Sequence, residues 1–248
     1  MIRIKLILAY EGTDFSGWQI QLRDRTVQGE LEKCLETIAG KPVRVHGSGR
    51  TDAGVHALGQ VVHFDCADDR RNIPWQRALN SLLPRDVRVV DWGVVPDDFH
   101  ARYGAVSKTY EYVLWHNQEF FLPQRRRFAW DCGPVEFTLM EEAAALFIGE
   151  HDFAAFQNVG TPVSSTIRTI TEISRHPGLA EHESVWRFSA NGFLKQMVRN
   201  LMGCLVNCGR GKICFEEVRI ILENGDRSAA PATAPPQGLT LMNVEYPG

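Results

Sequence analysis

The sequence predicts an α+β protein with a mainly antiparallel sheet, its helices laid over one face. Three observations point there: short runs alternate apolar and polar residues at period two, longer runs place apolar residues at helical spacing, and this rhythm occurs twice along 248 residues with no visible sequence repeat.

Residues 2–10 set Ile2, Ile4, Leu6 and Leu8 against Arg3, Lys5, Ile7 and Ala9, the pattern of a strand with one well-buried face. EGTDFSGWQ follows as a loop rich in turn-formers. In TVQGELEKCLETIAG, Val27, Leu31, Leu35 and Ile38 fall at helical spacing, Thr26 and Glu30 stand near the start, and Gly40 ends the helix. PVRVHGSG and GQVVHFDC predict strands flanking a glycine-rich loop; NIPWQRALNSLLP predicts a short helix, and VRVVDWGVVP and SKTYEYVLWH two more strands. In the second half, TLMEEAAALFIGEHDF predicts a strong helix, IRTITEISRHP and SVWRFSANGF strands, and LKQMVRNLMGCLVNCG a long helix. CFEEVRIILENG predicts a further helix, RSAAPATAPPQG a Pro/Ala-rich surface segment, and GLTLMNVEYP a closing strand. The boundary is expected near residue 104, giving an N-terminal lobe over 1–103 and a C-terminal lobe over 104–248.

Composition narrows the class. Hydrophobic residues make up 44% and charged residues 23%, and no apolar run approaches the ~20 residues of a membrane span. The apolar start, MIRIKLILAYEG, alternates and runs into a turn, so it predicts a first strand rather than a signal peptide. Cys34, Cys66, Cys132, Cys204, Cys208 and Cys214 contain no C-x-x-C pair, and the surroundings of Cys204 and Cys208 offer no histidine or carboxylate ligand. A cytoplasmic protein without structural disulfides or zinc is expected. Charges balance over residues 1–103 and are acidic by three over 104–248. A nucleic-acid partner would therefore have to be met by local clusters of cations rather than by bulk charge.

Three stretches carry candidate chemistry. In VHGSGRTDAGVHALGQVVHF, Asp52 stands among glycines, two places after Arg50 and four before His56. An Asx-turn, a phosphate cradle, an aspartic-protease element or a loop presenting Asp52 to a substrate are all compatible with that cluster. The cradle lacks a P-loop ending, and the protease element lacks its second copy. FHARYGAVSKTYEY interleaves His100, Arg102, Lys108, Tyr110 and Tyr112, rings and cations as used on unstacked nucleotides, though a half-buried strand with a charged outer face gives the same pattern. In ANGFLKQMVRNLMG, Phe193, Met197, Leu201 and Leu205 form an apolar stripe and Arg199 projects from another face. Arg199 is either a surface arginine or one held against an interior carboxylate such as Asp52, which would favour the ionised form.

Taken together, YEGTDFSGWQ, GSGRTDAGVHALGQVVHF, FHAR, KTYEY, FLKQMVRNLMG and APPQGL resemble the tRNA pseudouridine synthase A family in order and approximate spacing, from Tyr10 to Tyr246. The resemblance implies isomerisation of uridine to pseudouridine at positions 38, 39 and 40 of the anticodon arm of tRNA. It implies the two-lobed pseudouridine synthase fold, a homodimer, no membrane, and neither metal nor organic cofactor. It also implies that Asp52 is the nucleophile, Arg50 holds the flipped base, Tyr110 packs on it, Arg199 pairs with Asp52 and Leu239 lines the pocket. Bound tRNA is expected along a cleft lined by Arg102, Lys108, Arg125, Arg126, Arg127, Arg168 and Lys195, with His100 in the same surface and Glu141, Glu142, Glu181 and Glu183 elsewhere. QNVGTPVSS matches a variable RNA-contacting loop. The alternatives are a same-family synthase acting on other RNA positions and a non-catalytic tRNA-binding protein.

Overall fold

Alternation in the first strand dictates the core of the first half. The computed structural model describes residues 1–158, 160 and 163–247. In β1 (Ile2–Tyr10) every second residue, Ile2, Ile4, Leu6, Leu8 and Tyr10, is buried. The chain forms two compact units, Met1–Val106 with Leu241–Gly248 and Ser107–Thr240.

In the first unit β1 pairs antiparallel with β3 (His56–Cys66) on one side and β4 (Val87–Val95) on the other, and the two-residue β2 (His46–Gly47) pairs with β3. PVRVHGSG thus forms a strand only at its centre. Helix α1 (Val27–Ala39) starts where the Thr26 hydroxyl accepts the Gly29 N–H and stops at Gly40, whose φ of 69° is left-handed. It buries Val27, Leu31, Cys34 and Leu35. Helix α2 (Trp75–Leu82) buries Trp75 edge-on against Phe64 of β3, ring centroids 5.1 Å apart.

In the second unit β5 (Ser107–Trp115) pairs antiparallel with β9 (Glu183–Ala190), β9 with β8 (Ile167–Pro177), and β8 with β7 (Gly149–Asp152). The two-residue β6 (Trp130–Asp131) runs parallel to β5. Helices α3 (Phe137–Ala145), α4 (Met197–Gly209) and α5 (Phe215–Asn224) complete the unit. Strand β10 (Leu239–Glu245) closes the chain. The fold is mixed α and β with mostly antiparallel pairing, as the alternation predicts.

Three helix boundaries differ from expectation: the short helix expected over residues 72–84 begins only at Trp75, after Pro74, and two later ones shift as well. The helix expected over residues 138–153 ends at Ala145, because Gly149 turns the chain at φ 102° and residues 149–152 pair with β8. Helix α4 begins at Met197 rather than Leu194, after Gln196 adopts φ 62°. Phe193 therefore stands outside the helix and does not extend its apolar stripe. No helix among the described residues is long and apolar enough to cross a membrane.

Candidate active site

The glycine-rich loop around Asp52 is gripped from three directions within the first unit. Before the aspartate, Gln60 of β3 accepts the buried Ser48 hydroxyl at 2.6 Å and donates to the Gly49 carbonyl at 2.9 Å. At the aspartate, the Thr51 carbonyl accepts the Trp18 N–H at 3.1 Å and the Asp52 carbonyl accepts the Val55 N–H at 3.1 Å. After it, the Gly54 N–H donates to the Phe15 carbonyl, and the Gly12 N–H donates to His56 Nδ1 at 3.0 Å. His56 is buried and engaged by its own chain, which makes it a packing residue of this loop.

Glycine is required where the EGTDFSGWQ loop meets the Asp52 loop. A Cβ on Gly12 would lie 1.9 Å from the Val55 carbonyl oxygen, and one on Gly17, at φ 91°, 2.7 Å from the Thr51 carbonyl oxygen. Backbone thus lies directly on backbone, and the loop has one shape. Asp52 is half-buried and Arg50 exposed, both on that loop.

His100 and Arg102 occupy a second pinned loop of the same unit. The Ala101 N–H donates to His63 Nδ1 at 3.1 Å, Tyr246 donates its hydroxyl to the Ala101 carbonyl at 2.6 Å, and Arg3 donates to the carbonyls of Asp97 and Phe99. His100 Nδ1 accepts the N–H groups of Arg102 and Tyr103. Its ring lies 4.7 Å from His63, and His63 stacks on His46 at 5.1 Å. Burial and the neighbouring His100, Arg3 and His46 push His63 down to about 4, so it stays neutral.

Within the second unit, Tyr110 is buried on β5 and meets Phe193 edge-on at 5.3 Å. Phe193, expected at the end of the strand SVWRFSANGF and in the apolar stripe that follows, lies in the loop between β9 and α4. Tyr112, on the same face of the strand, donates its hydroxyl to the Pro235 carbonyl at 2.6 Å, and burial pushes its acidity well down. Arg199 donates through Nε to the Ala234 carbonyl at 2.8 Å, while its own carbonyl accepts the Ala234 N–H. Leu239 is buried at the start of β10.

The Pro/Ala-rich segment lies at the surface, as expected, but is packed against the protein rather than free. Arg227 donates to the carbonyls of Ala230 and Pro231 and to Thr233 and Asn200, and Ala234 and Gly238 are buried. A Cβ on Gly203 of α4 would lie 2.2 Å from the Ala232 carbonyl oxygen, so the segment lies flat on that helix as a strap. Its Pro/Ala composition resembles a linker; the small residues facing it, not its own, mark the contact.

The expected partition of charge fails at one place. Arg125 forms an ion pair with Glu183, whose side chain is fully buried, so this cation is committed to a carboxylate expected elsewhere. Glu141 is taken by Arg175 at 2.6 Å. Arg102, Arg126 and Lys195 are exposed, and Lys108, Arg127 and Arg168 half-buried. Arg168 donates to the carbonyls of Ser165 and Ile167. The loop expected to contact RNA, residues 157–165, includes Val159, Thr161 and Pro162, which lie outside the described residues. Among the described residues, no three His, Cys, Asp or Glu side chains converge as a metal would require. All six cysteines are free thiols, and burial raises Cys132 to about 12.

The glycine-rich loop thus holds a half-buried aspartate on a backbone hydrogen-bonded before, at and after it. Residues 6–104 and 143–247 match the family described as tRNA pseudouridine synthase. Curated relatives named tRNA pseudouridine synthase A include one from Maridesulfovibrio salexigens, 56% identical over 99% of this chain and 91% of that one. Another, from Solidesulfovibrio magneticus, is 55% identical over 99% and 92%, and one from Anoxybacillus flavithermus is 44% identical over 99% of each. The chain belongs to the tRNA pseudouridine synthase A family. It is an isomerase of that class.

Proposed function

We propose that this protein converts uridine to pseudouridine at positions 38, 39 and 40 of the anticodon stem-loop of tRNA, with Asp52 as the nucleophile. The reaction is an isomerisation: the C1′–N1 bond breaks, a C1′–C5 bond forms, N1 gains a proton and C5 loses one. Atoms and electrons balance without an oxidant, a reductant or a donor group. The Asp52 carboxylate acts on the nucleotide at C1′ or C6, or by assisting elimination from the ribose. The target base must first leave the stack, and Arg50 on the same loop holds it out. Tyr110, with Phe193 braced against its edge, supplies an aromatic wall that offsets the lost stacking, and Leu239 adds an apolar surface. Arg199 serves the reaction as a fixed cation.

The observation that supports this reading best is the grip on the Asp52 loop. Its backbone is hydrogen-bonded before, at and after the aspartate, in a chain whose family isomerises uridine in tRNA. Such preorganisation serves a reacting group that must meet its target within a fraction of an ångström. Phosphate and base contacts come from His100, Arg102, Lys108 and Arg168. A homodimer lets one tRNA touch both subunits, and the enzyme works in the cytoplasm without cofactor.

The test incubates unmodified tRNA transcripts with the purified protein and maps pseudouridine by carbodiimide-blocked reverse transcription. Blocks at positions 38, 39 and 40 are expected. Asp52→Asn is expected to lower the rate at least about 10³-fold while tRNA binding persists. Product at undiminished rate from that variant defeats the assignment, and blocks at other positions defeat the substrate site.

A further inference from the structure

The YEGTDFSGWQ motif contributes no side chain to the chemistry above, yet it lies directly on the Asp52 loop. Its first residue, Tyr10, ends β1 at an irregularity. Leu8 pairs with Gln60 but Tyr10 with Ala57, so β3 carries one extra residue there. Bulges of this kind bend a strand and re-aim a side chain. Here the buried Tyr10 hydroxyl meets the buried Thr51 hydroxyl at 2.8 Å.

We infer that Tyr10 is a positioning residue for Asp52, acting through the side chain of Thr51. The inference rests on the reading of Asp52 as the nucleophile. Thr51 is held at two points: its carbonyl accepts the Trp18 N–H, and its hydroxyl exchanges a hydrogen bond with Tyr10. The first fixes the plane of the peptide that leads into Asp52. The second ties the Thr51 side chain to the end of β1, and so restrains where the Thr51 Cα, from which the chain continues into Asp52, can lie. A hydrogen bond between two buried hydroxyls contributes little net stability over a Phe–Val pair of the same shape. It does set direction, and a misplacement of about 1 Å in a reacting group costs on the order of a hundredfold in rate. Stability therefore explains this pair less well than alignment does.

The experiment measures kcat and KM for pseudouridine formation on an anticodon stem-loop transcript, for the parent protein and the variants Tyr10→Phe, Thr51→Val, Thr51→Ser and the Tyr10→Phe/Thr51→Val double. Tyr10→Phe and Thr51→Val are each expected to lower kcat about tenfold, with KM within about twofold. The double is expected to be no slower than the slower single, because both remove one bond. Thr51→Ser keeps the hydroxyl and is expected within about twofold of the parent. Tyr10→Phe alone takes this partner from the buried Thr51 hydroxyl and is expected to lower the thermal midpoint, whereas the double leaves neither hydroxyl behind and is expected to melt close to the parent; a kcat loss that persists in the double separates alignment from folding. A parent-like kcat for Tyr10→Phe, losses that multiply in the double, or a Thr51→Ser as slow as Thr51→Val each overturns the inference. Asp52→Asn runs alongside: if it stays active, the nucleophile reading and this inference fall together. If it is inactive while Tyr10→Phe matches the parent, only the positioning role falls.

Discussion

His63 shows how one buried side chain makes stability depend on pH. It takes the Ala101 N–H on Nδ1 and lies against His46, His100 and Arg3, with Asp65 two residues along its strand. The folded protein holds it neutral down to about 4, whereas an unfolded chain protonates it near 6.5. The unfolded state binds the proton first as pH falls, so its stabilising contribution is whole above about 6.5 and is lost between 6.5 and about 4. His100, also held down by burial and nearby cations, acts in the same direction. The Asp65 carboxyl, lowered by its bond to Arg3, contributes stability that is lost only at lower pH, as it protonates. Urea unfolding is expected to lose on the order of 2 kcal/mol from pH 7 to pH 4.5. In His63→Asn, whose Oδ1 can accept the Ala101 N–H without titrating, most of that fall should vanish; an unchanged fall would assign it to other groups. The Asp52 loop was legible in sequence because its glycines cluster around a carboxylate. The grip on it was not, because Tyr10 and Thr51 lie 41 positions apart and no local pattern joins them.

Elements with a long period were legible and those set by contact were not. Nine residues of β1 alternate, and the apolar positions of α1 recur at helical spacing, so both are visible before any fold is known. The two-residue strands β2 and β6 carry no period, and the three-residue error at the start of α4 came from apolar spacing in the sequence that the left-handed turn at Gln196 interrupts. The strap over α4 was missed for the same reason, since its signal is a glycine on another element. That contact makes a prediction of sign. Replacing a helix-interior glycine by alanine ordinarily stabilises by about 1 kcal/mol. At Gly203 the added methyl would meet the Ala232 carbonyl oxygen at 2.2 Å, and overpacking of this kind costs about 1–3 kcal/mol. Gly203→Ala is therefore expected to lower the urea midpoint, and to slow pseudouridine formation by shifting Ala234, which Arg199 holds on both its N–H and its carbonyl. A raised midpoint would show that the strap moves aside freely.

For the whole molecule the question is how a chain of formal net charge −3 binds a polyanion. Long-range attraction from net charge is absent, so binding has to come from cations whose charge is not already spent on a carboxylate. Arg125, Arg175, Arg187 and Arg219 are spent, on Glu183, Glu141, Glu111 and the Glu216–Glu223 pair. Arg102, Arg126 and Lys195 remain exposed. If three to five such groups meet phosphates, log K for tRNA binding should fall with log salt at a slope of about −2 to −4. Arg102→Ala and Lys195→Ala should each make the slope shallower by about one and weaken binding to all tRNAs alike, since a phosphate contact carries no sequence information. Filter binding of the intact protein across a salt series measures both. A slope near zero would mean that the tRNA is held by stacking and shape alone, and the assignment of these cations to phosphates would have to be abandoned while that of Asp52 stood.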